Sequence, residues 1–207
     1  MTAWADRKNG HTPTQSAPGS KPIYAPIGFN GRPGIVFDGV DDYLSLENQP
    51  LGTGAASREM WTLQSQSTPD ATAVSGTIFA YGGTVSNANF VQRIQTAGVS
   101  RARGATGPGV SSTVSVPDVM VAFNGIHLVR YRIEAAQSSL YIDGHPSTTM
   151  AVVPNTGSIR VRIGSNIVDT AAAFFTGTIN AILVTSLLEA DPTLHLNNYL
   201  KIRGGIL

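Results

Sequence analysis

The chain has 207 residues, no cysteine and a formal net charge of +1 at pH 7. Disulfides and thiolate metal centres are therefore excluded. A chain this close to neutral has no global field to draw nucleic acid or an anionic membrane, so neither is expected as a partner. No run approaches the ~18 apolar residues of a membrane helix.

Charged residues make up 13% of the chain, about half of the ~25% usual in soluble domains. The surface must then be dressed in Ser, Thr, Asn, Gln and Gly. Such a surface suits sugar contacts, and equally a subunit largely covered by neighbours. The bases are 11 Arg against 3 Lys, and Arg presents a planar fork suited to carboxylates and phosphates.

Met1 to Asp6 carries no basic region followed by an apolar one, so it is not read as a signal peptide. Residues 1–26 are rich in Pro, Gly, Ser and Thr and read as an irregular N-terminal lead-in. Residues 27–207 read as a single β-sandwich domain, a size such folds reach as one unit. Ile35-Val36-Phe37 is strand-like, Asp38-Gly39 is a turn dipeptide, and Tyr43, Leu44 and Leu46 resume an extended run. Met60-Trp61-Thr62-Leu63 reads as a core strand. Thr77 to Tyr81 and Phe90 to Ile94 are two further strands. Residues 97–118 are compatible with a long loop or a weakly patterned strand pair.

The clearest alternation runs from His127 to Glu134. Val129, Tyr131 and Ile133 point one way, and Leu128, Arg130, Arg132 and Glu134 the other. Leu140-Tyr141-Ile142 returns and ends at Asp143-Gly144. Ser158 to Gly164 alternates again, with Ile159, Val161 and Ile163 inward and Arg160 and Arg162 outward. Thr178 to Thr185 is the last strand. One helix follows: Asp191 is placed to cap it, Pro192 suits its first turn, Leu196, Tyr199, Leu200 and Arg203 fall at helical spacing, and Gly204-Gly205 ends it. Many short strands with frequent turns predict an all-β sandwich.

Several segments, in order, resemble the concanavalin A-like, laminin-G-like jelly rolls. The entry hairpin Asn30-Gly31-Arg32-Pro33-Gly34-Ile35-Val36-Phe37-Asp38-Gly39-Val40-Asp41-Asp42-Tyr43-Leu44 is similar to that family's pattern. So are Trp4-Ala5-Asp6-Arg7 with Asn9-Gly10-His11 and Gln15, Pro22-Ile23-Tyr24, and Ile78-Phe79-Ala80-Tyr81-Gly82-Gly83. Tyr141-Ile142-Asp143-Gly144, Arg162-Ile163-Gly164, Phe175-Thr176-Gly177-Thr178-Ile179 and Tyr199-Leu200-Lys201 complete the series. The resemblance implies a concanavalin A-like β-sandwich jelly roll with a short C-terminal helix. Proteins of this kind occur in bacterial surface proteins and bacteriophage virions.

Family members usually carry a full strand before the Trp-x-Asp segment, and here Met1 stands three residues ahead of Trp4. The sandwich is then expected to have an open edge covered by a neighbouring subunit.

The resemblance also bears on chemistry. Endoglucanases on this fold use a Glu-x-Asp-x-x-Glu array that sets acid and nucleophile roughly 5 Å apart. The nearest string here, Glu189-Ala190-Asp191-Pro192-Thr193-Leu194, lacks the second Glu and starts a helix, so no enzyme activity is expected. Asp38, Asp41 and Asp42 could bind calcium, helped by Asp143, Asn87 or Asn89, or could serve the turn alone. His11, His127, His145 and His195 show no metal-ligand spacing.

Arg130, Arg132, Arg160 and Arg162 share outward strand faces. If their strands are neighbours, they form a stripe, extended by Arg93, Arg101 and Arg103, for a partner's acidic surface or an anionic glycan. The alternative is a solvated face paired with Asp and Glu. Trp4, Tyr24, Trp61 and Tyr81 are the rings considered for sugar stacking; Trp61 reads as core, which leaves Trp4, Tyr24 and Tyr81. The resulting expectation is a virion structural protein: a capsid decoration, head-fibre or tail accessory subunit, assembled as a homo-oligomer on other virion subunits and touching host-surface glycans. The alternatives are a free lectin-like carbohydrate-binding module and a degenerate glycosidase, the latter requiring a carboxylate pair that the sequence does not display.

Overall fold

A computed structural model describes residues 1–5, 8–47, 51, 53–66, 76–83, 89–96, 100–105, 113–115, 125–135, 137–151, 156–157, 160–166 and 173–206. Among the described residues the regular structure comprises thirteen strands, a 3-10 turn at Pro18–Ser20 and one α-helix. In chain order the strands are β1 (Ile23–Phe29), β2 (Arg32–Asp38), β3 (Leu44–Glu47), β4 (Arg58–Gln66), β5 (Gly76–Gly82), β6 (Asn89–Thr96), β7 (Ser100–Ala105), β8 (Thr113–Ser115), β9 (Ile126–Ile133), β10 (Ser138–Ile142), β11 (His145–Met150), β12 (Arg160–Ile163) and β13 (Thr176–Ser186). The helix α1 spans Ala190–Gly204.

The strands form two antiparallel sheets. One has the order β1-β2-β13-β4-β9-β10-β11, the other β3-β12-β5-β6-β7-β8. The expected jelly-roll sandwich is thus present, and the segment 97–118 contains the strand pair β7 and β8. The N-terminal stretch read as irregular already contains the start of β1, where Pro26 and Gly28 hid the strand pattern.

Period-two alternation builds the core. Ile35 and Phe37 from β2, Met60 from β4, Val129, Tyr131 and Ile133 from β9, Leu140 from β10 and Ile179 from β13 face Leu44, Phe79, Tyr81, Val161 and Ile163 of the other sheet. Burying one such side chain stabilises the fold by about 1.5–3 kcal/mol.

A second cluster lies on the opposite face of the seven-stranded sheet. There Phe29, Trp61, Leu63 and Leu128 receive Leu200 of α1. Glu189, not Asp191, is the N-cap of α1, and it makes no side-chain cap bond. Asp191 instead sits in the first turn. The helix ends as expected, with Gly205 in the left-handed conformation and its N–H returned to the last carbonyls.

The edge at β3 is covered by the chain's own N-terminal residues. Thr14 exchanges backbone hydrogen bonds with Ser45, and Ala3 bridges Thr14 in turn. This contact answers the expectation that a neighbouring subunit covers an open edge there. The other sheet's edge strands, β1 and β11, each contain a proline, Pro26 and Pro146. A proline lacks the N–H that a further strand would need.

Candidate functional site

On the outer face of the seven-stranded sheet, antiparallel register places Leu183, Trp61, Arg130 and Tyr141 side by side across β13, β4, β9 and β10. The Arg130 guanidinium lies 4.8 Å from the Trp61 ring centroid and 4.6 Å from that of Tyr141. Such desolvated cation–π contacts are worth about 2 kcal/mol each.

The next row holds Glu59 opposite Arg132. Glu59 is fully buried and accepts from Arg130 Nη2 at 2.6 Å and from Trp61 Nε1 at 3.0 Å. Arg132 Nη1 stands 3.5 Å from the same carboxylate, and its Nη2 pairs with Glu134 at 2.9 Å. A hydrogen bond from Gln137, then Arg132, holds the Glu134 carboxyl below its ordinary range.

Helix α1 crosses this face beside the ring–guanidinium–ring row. Between them runs a cleft of about 280 Å³ lined by Trp61, Leu128, Arg130, Tyr141 and Gly144 of the sheet and by Ala190, Thr193, Leu194 and Asn197 of the helix. The helical residues recur at i, i+3, i+4 and i+7, one face of a helix. Gly144 sits here because the hairpin tip is pinned: Asp143 accepts from Leu128 N–H and pairs with His127 Nδ1, both at 2.8 Å. A cleft that is mostly apolar with a few fixed polar groups is the usual form of a small-molecule site.

The predicted arginine stripe does not form. β9 belongs to the seven-stranded sheet and β12 to the six-stranded one. Arg130 and Arg132 therefore project from one outer face of the sandwich, and Arg160 and Arg162 from the other. Arg160 pairs with Glu47 at 3.3 Å, and Arg162 lies over the Tyr43 ring at 4.8 Å. The side chains of Arg93, Arg101, Arg103 and Asn89, and all of Asn87 and Ile159, lie outside the described residues.

Among the ring candidates, Tyr81 is not available for stacking: it is completely buried in the core. Burial also pushes its phenol well above the ordinary range, as it pushes Tyr131 up to about 12. Trp4 is half-buried against the same core, and Tyr24 is exposed on β1. Of the rings that line the cleft, Trp61 is buried, as its core-strand reading expected, and Tyr141 was not among the candidates.

Asp38, Asp41 and Asp42 come together, with one carboxylate oxygen from each within 4.8 Å of the others. Each is engaged in the turn. Asp38 Oδ1 accepts from Val40 and Asp41 N–H, Asp42 Oδ2 from Asp38 N–H, and Asp41 Oδ2 from the Ser20 hydroxyl. Burial raises the Asp42 pKa above the ordinary carboxylate value, with the charges of Asp38 and Asp41 adding to the rise. A raised folded-state pKa means that stability is greatest below the unfolded pKa and declines as pH rises through the folded one. Asp42→Asn keeps an acceptor for the Asp38 N–H and removes the charge. It is expected to raise the melting temperature at pH 7, with the gain vanishing in acid. A melting temperature that falls, and a wild type that EDTA destabilises, would contradict this account of the turn.

No protein-family model and no curated protein sequence matches the chain. Solved structures do share its fold. An α-L-arabinofuranosidase superposes with a TM-score of 0.71 at 10% identity, over 98% of this chain and 50% of that one. A heptameric SAP-like pentraxin from Limulus polyphemus gives 0.58 at 14%, over 83% and 81%. The enzymatically active domain of tailspike protein 2 from bacteriophage CBA120 gives 0.59 at 14%, over 89% and 29%. The chain thus spans half or less of the length of the arabinofuranosidase and tailspike chains. Together with the sheet order, these likenesses show a concanavalin A-like β-sandwich jelly roll with a C-terminal helix.

They also correct one expectation, that the chain has no enzyme activity. The fold is shared with an arabinofuranosidase, Trypanosoma rangeli sialidase and a tailspike's enzymatically active domain. The fold therefore gives no ground for excluding catalysis.

Proposed function

We propose that the chain is a carbohydrate-recognising β-sandwich module that takes its sugar in the cleft beneath α1. One observation carries this reading. The cleft joins ring and aliphatic surface from Tyr141 and Leu194, over a floor that includes the buried Trp61, to hydrogen-bonding groups from Arg130, Thr193 and Asn197. A pyranose offers the matching chemistry, an apolar C–H face with hydroxyls around its rim. The names of the structural neighbours, an arabinofuranosidase and sialidases, support sugar as the ligand class. A glycan array probed with the purified chain tests the reading: a defined set of related glycans is expected, and a blank array would overturn it.

A second reading concerns where the module works. The likeness to a phage tailspike over 89% of this chain favours a place in a virion, as a capsid or tail subunit. In that role the module would bind other virion subunits and further copies of itself, with host-surface glycans as its sugar. Light scattering tests it: a discrete oligomer is expected, and a clean monomer at high concentration would count against it.

A further inference from the structure

We infer that the sugar taken in the cleft is N-acetylated, its acetamido group held between Thr193 and Asn197; this rests on the carbohydrate reading above. The charge balance of the cleft, the placing of its polar atoms and the surface around them all favour a neutral amide.

Arg130 is the one cation in the cleft lining, and its charge is already answered. Nη2 donates to the buried Glu59 at 2.6 Å, and the Trp61 and Tyr141 ring centroids lie 4.8 Å and 4.6 Å from the guanidinium. Glu189 and Asp191 are exposed on either side of Ala190, which lines the cleft. An acidic group would meet carboxylates there and find no unpaired cation.

Asn197 supplies a free polar group. Among the described residues its side chain has no hydrogen-bond partner. The amide lies against the hairpin tip, where a Cβ on Gly144 would stand 2.9 Å from Nδ2 and 3.2 Å from Oδ1. Thr193 lies one helical turn earlier, and its hydroxyl donates to the Leu188 carbonyl at 3.4 Å. Its oxygen lone pairs are then left to accept, while Asn197 Nδ2 is left to donate.

A trans secondary amide points its N–H and its C=O in opposite directions. Side chains four apart on a helix start about 5–6 Å from each other. One acetamido group therefore fits between these two, its N–H donating to Thr193 Oγ1 and its carbonyl accepting from Asn197 Nδ2. A single hydroxyl is too short to reach both. Leu128, Tyr141 and Leu194 supply the apolar lining around them. An acetyl methyl gains by burial on such surface, where a hydroxyl would lose its water.

The test is calorimetric titration of the intact chain with chitotriose and with cellotriose, which share one backbone and differ in carrying acetamido groups or hydroxyls. The acetamido form is expected to bind at least about tenfold more tightly, from a buried methyl and a further hydrogen bond. Thr193→Val and Asn197→Asp, each close in shape to the native residue, are expected to erase that lead. The comparison on the wild type stands even if neither variant folds. Equal binding of the two trisaccharides, tighter binding of cellotriose, or a lead that survives both variants would overturn the inference and leave the sugar reading intact. Where neither trisaccharide binds, the glycan array decides: hits that share an N-acetyl group support the inference, and hits that lack one overturn it alone. A blank array with neither trisaccharide bound would overturn both.

Discussion

Glu59→Gln is expected to lower the unfolding free energy by about 3–5 kcal/mol, the usual loss when one member of a buried ion pair is removed. Glu59 is completely buried. It is the acceptor for the Arg130 guanidinium at 2.6 Å and the Trp61 indole at 3.0 Å, with Arg132 3.5 Å away. Glutamine keeps one acceptor oxygen but turns an NH₂ group toward donors and leaves Arg130 charged in a desolvated position. Chemical denaturation of the wild type and variant measures the loss. Pairing Glu59→Gln with Arg130→Met isolates the mutual term, because groups in contact depart from additivity by their interaction energy. The double variant is expected to recover part of the single variant's loss. A single-variant loss below about 1 kcal/mol would place the pair with solvent-screened surface bridges.

Gly164→Ala is expected to cost about 2–4 kcal/mol, from left-handed backbone strain and core overpacking together. Gly164 has φ +86°, and a Cβ there would press into the Phe37 ring and stand 3.1 Å from the Asp42 carbonyl. The residue cannot move away cheaply, because its N–H donates to Ile78 and its carbonyl accepts from Phe175, each at 2.9 Å. Thermal unfolding measures the cost. A variant as stable as the wild type would show that the β12–β13 connection has slack that the close approach to Phe37 denies it.

Much of the sandwich was legible because period-two alternation is local. Val129, Tyr131 and Ile133 declare an inward face within one strand, and the structure puts all three in the core. The motif glycine after Arg162-Ile163 was legible as a pattern, and the Phe37 ring supplies its physical reason. β1 was not legible, because Pro26 and Gly28 interrupt a strand that survives as an edge with a register irregularity between Ala25 and Phe29.

The candidate cleft was only half legible. Alternation marked Arg130 and Arg132 as outward, but it carries no record of which strands are neighbours. Joining Arg130 to Trp61 depends on β4 pairing with β9, and joining it to Asn197 depends on where α1 comes to rest. Trp61 stood in an apolar run and read as core, and it is buried, but in the second cluster beneath the helix and not between the sheets. The same gap in local pattern allowed two arginine pairs on opposite faces to be drawn as one stripe.

The most direct test of sugar recognition beneath α1 is an NMR titration of the labelled chain with the strongest glycan from the array. The account predicts that the Trp61 indole N–H, the Asn197 side-chain amide and the backbone amides of Arg130, Gly144 and Thr193 shift together and saturate with one affinity, while the strands of the six-stranded sheet stay still. Shifts confined to the turn of Asp38, Asp41 and Asp42, or to the face of Arg160 and Arg162, would contradict it and move the site elsewhere on the sandwich.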